Sequence, residues 1–157
     1  MSGLLPSALP GIAGLPGSPD PDAERLAEWF RGATHSALNA IYIFEPVRDA
    51  QGGITDFRFL FANPLGAELL RLGGHELAGL TLREVVPPSR VEIVLQQCRD
   101  VMAGGQPIVE EFEVEEYPPS MRWLRHQVVP IRDGVVITSE NISARKLAEQ
   151  DLARREE

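Results

Sequence analysis

"GVVITSENISARKLAEQDL", residues 134–152, passes from a β-branched run into a charged, helix-forming run with no Gly or Pro between them. Upstream, "MRWLRHQVVPI" reads as a second strand, and Arg132, Asp133 and Gly134 supply a tight turn of the Asp-Gly type between the two. "PIVEEFEVEEY" alternates Ile108, Phe112 and Val114 against glutamates, with Glu110 breaking the inward pattern. Three strands joined by short turns argue for antiparallel pairing.

Working further toward the N-terminus, Ser89 and Glu92 have the spacing of a capping box. The helix they open places Val91, Val94, Leu95, Cys98, Val101 and Met102 on one face and stops at Gly104 and Gly105. Cys98 therefore reads as a small core residue. "HELAGL" and "TLREVVP" form two short helical turns. Asn63 caps a helix that opens at Pro64 and carries Leu65, Leu69 and Leu72 on its apolar face. "AIYIFEPV" and "FRFLFA", separated by the turn-rich "RDAQGGITD", read as a hairpin. Asp20 and Pro21 open a first helix with Leu26, Trp29, Phe30 and Ala33 on one face. That face suits packing on the domain and dimerisation equally well. The whole is an α+β fold: a five-stranded antiparallel sheet with helices on one face, flanked by N- and C-terminal helices.

Composition narrows the function. Fifteen basic against twenty-three acidic side chains give −8, which opposes non-specific nucleic-acid binding. The expected partners accordingly exclude nucleic acid. They also exclude membrane, because Pro6, Pro10 and Pro16 break the apolar N-terminus and no other stretch is long enough to span. One cysteine points to a reducing, cytoplasmic setting. Residues 1–19 read as a Pro/Gly-rich flexible tail, 20–36 as a flanking helix, 38–141 as the domain and 142–157 as an exit helix. There is no Gly-x-x-x-x-Gly-Lys loop, HExxH or G-x-S-x-G, so a catalytic role is not expected. No histidine pair has zinc spacing, and the glutamates of residues 110–117 read as a solvated face, so no metal site is expected.

Three stretches carry a resemblance to the PAS domain family over residues 38–146. "FRFLFANPLGAELL" (57–70) resembles the family's second strand, Asn cap and first helix. "GGHELAGLTLREVVP" (73–87) is similar to its paired glycines and closing proline. "RWLRHQVVPIRDGVVITSENISARKLAEQ" (122–150) resembles its last two strands and exit helix. The resemblance implies a sheet wrapped by helices around a small cavity. It also implies a regulatory sensor in a bacterial signalling chain such as a two-component histidine kinase. The strand-to-helix junction would then be the output lever, and the chain a piece of a longer protein. The family's usual Asp-Ile-Thr is Asn141-Ile142-Ser143 here, with Arg122 or Arg125 as the expected partner of residue 141.

Strand alternation proposes a cavity face of Ile43, Phe59, Phe61, Phe112, Leu124, His126, Val128, Ile137 and Ser139, with Val94 and Cys98 above it. Such a surface suits a small apolar or amphipathic ligand, or a filled core. Leu82 stands where flavin photoreceptors of the family carry their reactive cysteine, which argues against a cysteine-adduct flavin. Residues 89–103 contain no histidine, which argues against haem. No cofactor is named by the sequence. Asn141, Ile142, Ser143 and Arg125 are expected to transmit the signal. Leu26, Trp29, Phe30, Leu147 and Leu152 are expected to form a homodimer, the last two through a narrow stripe shared with Ala144 and Ala148. The competing expectation is a ligand-free module for dimerisation or protein docking.

Overall fold

The computed structural model describes residues 20–70 and 74–156. The expected tail at 1–19, and Leu72 and the side chain of His75, lie outside the described residues. The chain divides into a unit up to Ala37 and a unit from Leu38 onward.

In the first unit, α1 (Pro21–His35) starts where the Asp20 carboxylate accepts the Asp22 amide at 3.0 Å and Pro21 presets the helical φ. His35 donates from Nδ1 to the Arg31 carbonyl at 2.8 Å. Leu26, Trp29 and Phe30 are exposed.

The second unit is built on one antiparallel sheet. Its strands are β1 (Ala40–Arg48), β2 (Ile54–Ala62), β3 (Ile108–Glu113), β4 (Trp123–Ile131) and β5 (Gly134–Asn141), in the order β2-β1-β5-β4-β3. Helices α2 (Pro64–Leu69), α3 (Gly74–Leu77), α4 (Leu82–Val85) and α5 (Pro88–Gly104) pack on its inner face. The core forms where Phe44, Phe57, Phe59, Val128 and Val135 meet Val94, Leu95, Cys98 and Val101 of α5. α6 (Ser143–Arg155) leaves β5 after a single residue. Among the described residues no helix is long and apolar enough to cross a membrane.

Several local expectations change for tertiary reasons. β3 ends at Glu113, although Val114 is still buried. Ser89 does not pair with Glu92. Its amide and hydroxyl donate to the Glu116 carboxylate at 3.1 and 2.6 Å, and Glu92 bonds Arg83 instead. A carboxylate from the β3–β4 connection thus occupies the N-terminus of α5, where the helix dipole favours it. Leu65 is exposed, and α2 buries Gly66 and Ala67.

The β4–β5 turn carries its positive φ at Asp133 (59°), not at Gly134. Gly134 is required for a different reason. A Cβ there would stand 2.5 Å from the Phe44 carbonyl oxygen on the neighbouring strand. Gly134→Ala should therefore push β5 from β1 and cost about 2 kcal/mol. Urea denaturation measures it, and a loss below about 0.5 kcal/mol would show that the strands have room to part.

Candidate functional site

The inner face of β3, β4 and β5 is set by register. Glu110 pairs with His126, and His126 pairs with Ser139, so three adjacent strands place these side chains in one row. One step along, Phe112 pairs with Leu124. Facing them on α5, Arg90, Val94, Gln97 and Val101 recur at helical spacing, one stripe directed at the sheet. Between these elements lies a cavity of about 80 Å³. Its walls are mainly apolar, with Phe44, Phe59, Val94, Leu124 and Ile137 among them. Arg90, His126, Ser139 and Tyr42 are also among its lining residues, although the surface they present is almost wholly apolar. The Tyr42 hydroxyl donates to the Gly66 carbonyl at 2.9 Å, and burial holds it protonated by raising its pKa.

A polar cluster closes one side of this cavity. The Glu110 carboxylate accepts from Arg90 Nη2 at 2.9 Å and from Gln97 Nε2 at 2.8 Å. The Arg90 guanidinium also lies 3.7 Å over the Phe112 ring, which meets the His126 ring edge-on at 4.6 Å. Arg90 and His126 are nearly inaccessible to solvent, whereas the Glu110 side chain is about a third exposed (34%). Burial pushes Glu110 toward the neutral form. The hydrogen bonds from Arg90 and Gln97 and the Arg90 charge outweigh it, and the Glu110 pKa falls below its usual value.

His126 Nε2 stands 3.5 Å from Glu110 Oε1, within ion-pair distance but without hydrogen-bond geometry. Burial, reinforced by Arg90, brings the His126 pKa down to about 4, and the Glu110 charge only partly opposes this. His126 is therefore neutral near pH 7. Among the described residues, Arg90 Nε, Gln97 Oε1 and His126 Nε2 are buried without a hydrogen-bond partner. Natural structures leave few such atoms, and each calls for a physical explanation.

Of the residues expected on the cavity face, Phe59, Val94, Phe112, Leu124, His126, Ile137 and Ser139 line the cavity. Val128 and Cys98 are buried in the core away from it, and burial pushes the Cys98 thiol up to about 12. Ile43 and Phe61 are on the opposite face, paired with each other. For Phe61 the cause is a bulge: Phe61 pairs with Ile43 while Phe59 pairs with Phe44, so Leu60 is extra and the alternation of β2 reverses there, whereas Ile43 faces outward by the regular alternation of β1, between inward Tyr42 and Phe44. Sequence reading missed Arg90, Gln97 and Tyr42. The signal for the first two was the 90–94–97–101 spacing, obscured because an arginine and a glutamine do not score as apolar.

The exit junction is fixed by backbone and short side chains. The Ile142 amide donates to the Trp123 carbonyl at 2.9 Å, and Ser143 Oγ accepts the Trp123 amide at 2.9 Å. Asn141 Oδ1 accepts the Ser143 amide at 3.0 Å and Nδ2 donates to the Ser120 carbonyl at 2.9 Å. The expected arginine partner is corrected. Arg122 donates instead to the Tyr117 carbonyl, and Arg125 stands exposed between Glu111 and Glu140 in register. A neutral amide finds its partners in neighbouring backbone, whereas the aspartate it replaces would favour a cation.

The charged anchor of α6 is Glu111, which faces outward next to inward Glu110. It bonds Arg145 at 2.7 Å and Lys146 at 3.2 Å, and Lys146 Nζ lies 4.9 Å from the Trp123 ring centroid. Leu147 and Leu152 are exposed, at 51% and 56%.

A family model described as the PAS fold matches residues 55–147, more than half of the chain. No curated protein matches it. Solved structures similar to it include a domain of a sensory box sensor histidine kinase/response regulator from Geobacter sulfurreducens. That likeness has 13% identity and a TM-score of 0.54, and covers 75% of this chain and 96% of that one. An RNA-binding Light-Oxygen-Voltage receptor is similar at 19% identity and TM-score 0.57, covering 86% of this chain and 38% of the receptor. VqmA of Vibrio cholerae, a dimer with a DNA target, is similar at 20% identity and TM-score 0.52, covering 73% of this chain and 51% of VqmA. These last two correct the exclusion of nucleic acid from the partners. A net charge of −8 does not exclude such a partner, since this fold occurs within proteins that bind RNA or DNA. From the sheet order β2-β1-β5-β4-β3 and the family match together, this chain belongs to the PAS fold family.

Proposed function

We propose that this chain is the sensor domain of a cytoplasmic bacterial regulatory protein, non-catalytic itself, with its boundaries at about residues 38–141 and an exit helix after them. A small amphipathic molecule occupies the cavity, and the change reaches α6 through the sheet. The observation that carries this reading is a cavity lined in part by Arg90 and His126, each of which has a buried, unpartnered nitrogen. The adjacency of Glu110 and Glu111 supports the route. One touches the cavity cluster and the other holds Arg145 and Lys146 of α6. A ligand that draws Arg90 away from Glu110 alters β3 one residue from the helix anchor.

Native mass spectrometry of freshly purified protein, beside a denaturing spectrum, tests the reading. The expected result is a dimer with added mass that disappears on denaturation, and loss of most of that mass in His126→Ala. Bare protein from every preparation would overturn the ligand. A second reading, a ligand-free dimerisation module, is favoured by the exposed Leu147 and Leu152. Bare dimer would support it. In either case Leu147→Glu with Leu152→Glu should give monomer at micromolar concentration, because each charge would face its own copy across a parallel seam. An unchanged dimer would remove α6 from the interface.

A further inference from the structure

From the charge balance and donor chemistry of the cavity cluster, we infer that the ligand is a small neutral molecule that presents a carbonyl-type acceptor, not an anion, to Arg90 Nε and His126 Nε2. This rests on the reading of the cavity as a ligand site.

The Arg90 charge is already matched by Glu110, at 2.9 Å. His126 is neutral near pH 7 because burial lowers its pKa to about 4. The cluster therefore has no cation to spare, and an incoming carboxylate would lie close to Glu110 in a place where charge is costly to bury. Of the three unpartnered buried atoms among the described residues, Gln97 Oε1 is an acceptor on a residue outside the cavity lining, and the two on lining residues are donors. Arg90 Nε–H has no acceptor role. The neutral His126 ring has one proton to place. An unprotonated Nε2 would turn its lone pair toward the Glu110 oxygen 3.5 Å away, so the proton belongs on Nε2. Arg90 Nε and His126 Nε2 are thus two buried donors without a hydrogen bond, both on residues that line the cavity. The remaining wall, with Phe59, Val94, Leu124 and Ile137, is apolar and suits the body of such a molecule. The volume of about 80 Å³ limits it to a small one.

The test is NMR on the full chain at pH 7, with ¹³C-labelled methyls of Ile137 and Leu124 and the ¹⁵Nε–H of Arg90 as reporters. Xenon probes the cavity without chemistry, and cyclopentanone and cyclopentanecarboxylate probe the acceptor at matched shape. Xenon and cyclopentanone are expected to shift the methyls, and only cyclopentanone should shift Arg90 Nε–H. The ketone should bind at least about tenfold more tightly than the carboxylate. His126→Leu should weaken the ketone about five- to tenfold, as loss of one hydrogen bond does, and leave xenon binding in place. Carboxylate binding equal to the ketone overturns the inference, as does ketone binding that leaves the wild-type Arg90 signal unmoved. The second measurement decides the matter even if the variant does not fold. Xenon entry with the ketone excluded overturns the ligand class and leaves the sensor reading intact. Exclusion of xenon overturns the sensor reading itself.

Discussion

Asn63→Ala is expected to destabilise the protein by about 3 kcal/mol, several times the cost of removing an exposed helix cap. Asn63 is fully buried. Its Oδ1 accepts the Gly66 amide at 2.8 Å, in the first turn of α2, and the Ile41 amide at 2.9 Å, on β1. Its Nδ2 donates to the Asn39 carbonyl at 3.0 Å. One side chain thus joins the start of α2 to the start of β1. Truncation strands two donors and an acceptor where water does not reach, and each orphan costs on the order of 1–3 kcal/mol before relaxation.

Asp20 makes a useful contrast. It caps α1 through one bond in an exposed setting, so Asp20→Ala should cost at most about 1 kcal/mol. Asn63→Asp should fall between, since it keeps both accepting bonds and turns an oxygen on the Asn39 carbonyl. Chemical denaturation of the three variants measures the series. If Asn63→Ala costs no more than Asp20→Ala, the link to β1 contributes nothing. The loss also reaches function: Tyr42 lines the cavity and is held by the Gly66 carbonyl of that same helix turn, so ligand retention should fall with stability.

The parts of the fold legible in the sequence were those where one local pattern had one meaning. No Gly or Pro stands between β5 and α6, and the strand does run into the helix after Ile142 alone. The apolar stripe of α5 faced the sheet as its spacing required. The parts that were not legible share a physical cause, a partner distant in sequence. The bulge at Leu60 has no residue signature, yet it turns Phe61 out of the core, to pair with Ile43 on the outer face of β1. Ser89 and Glu92 have the spacing of a capping box, yet Glu116 supplies the better-placed carboxylate for Ser89. In the cavity, apolar alternation located Leu124, His126, Ile137 and Ser139, because a regular strand keeps its phase. Arg90 escaped because an arginine on an apolar stripe reads as a surface residue until its counter-charge, Glu110 on another element, is brought beside it. Glu110 was visible as an irregularity in β3. The same contact explains the irregularity: the glutamate breaks the inward pattern because it answers a buried cation.

Acidification from pH 7 to 4 should remove about 3 kcal/mol of stability through His126 alone. The sign follows from where the proton is refused. In the unfolded chain the histidine takes up a proton as the pH falls through 6.5. In the fold it does so only near pH 4, because burial and the Arg90 charge disfavour the cation more than Glu110 favours it. Between those values the unfolded state binds more protons, so stability is complete above pH 6.5 and declines as the pH falls toward 4. Glu110, whose pKa is lowered, has the same sign over a more acid range: its contribution stands above its unfolded value and is lost beneath it. His126→Leu should therefore flatten the profile between pH 6.5 and 4 and leave the loss at lower pH. Denaturation midpoints of the two proteins at pH 7, 5.5 and 4 measure this. Parallel profiles would mean that the folded histidine protonates as freely as the unfolded one. His126 would then carry part of a positive charge near pH 7, and the charge balance that argues against an anionic ligand would be weakened.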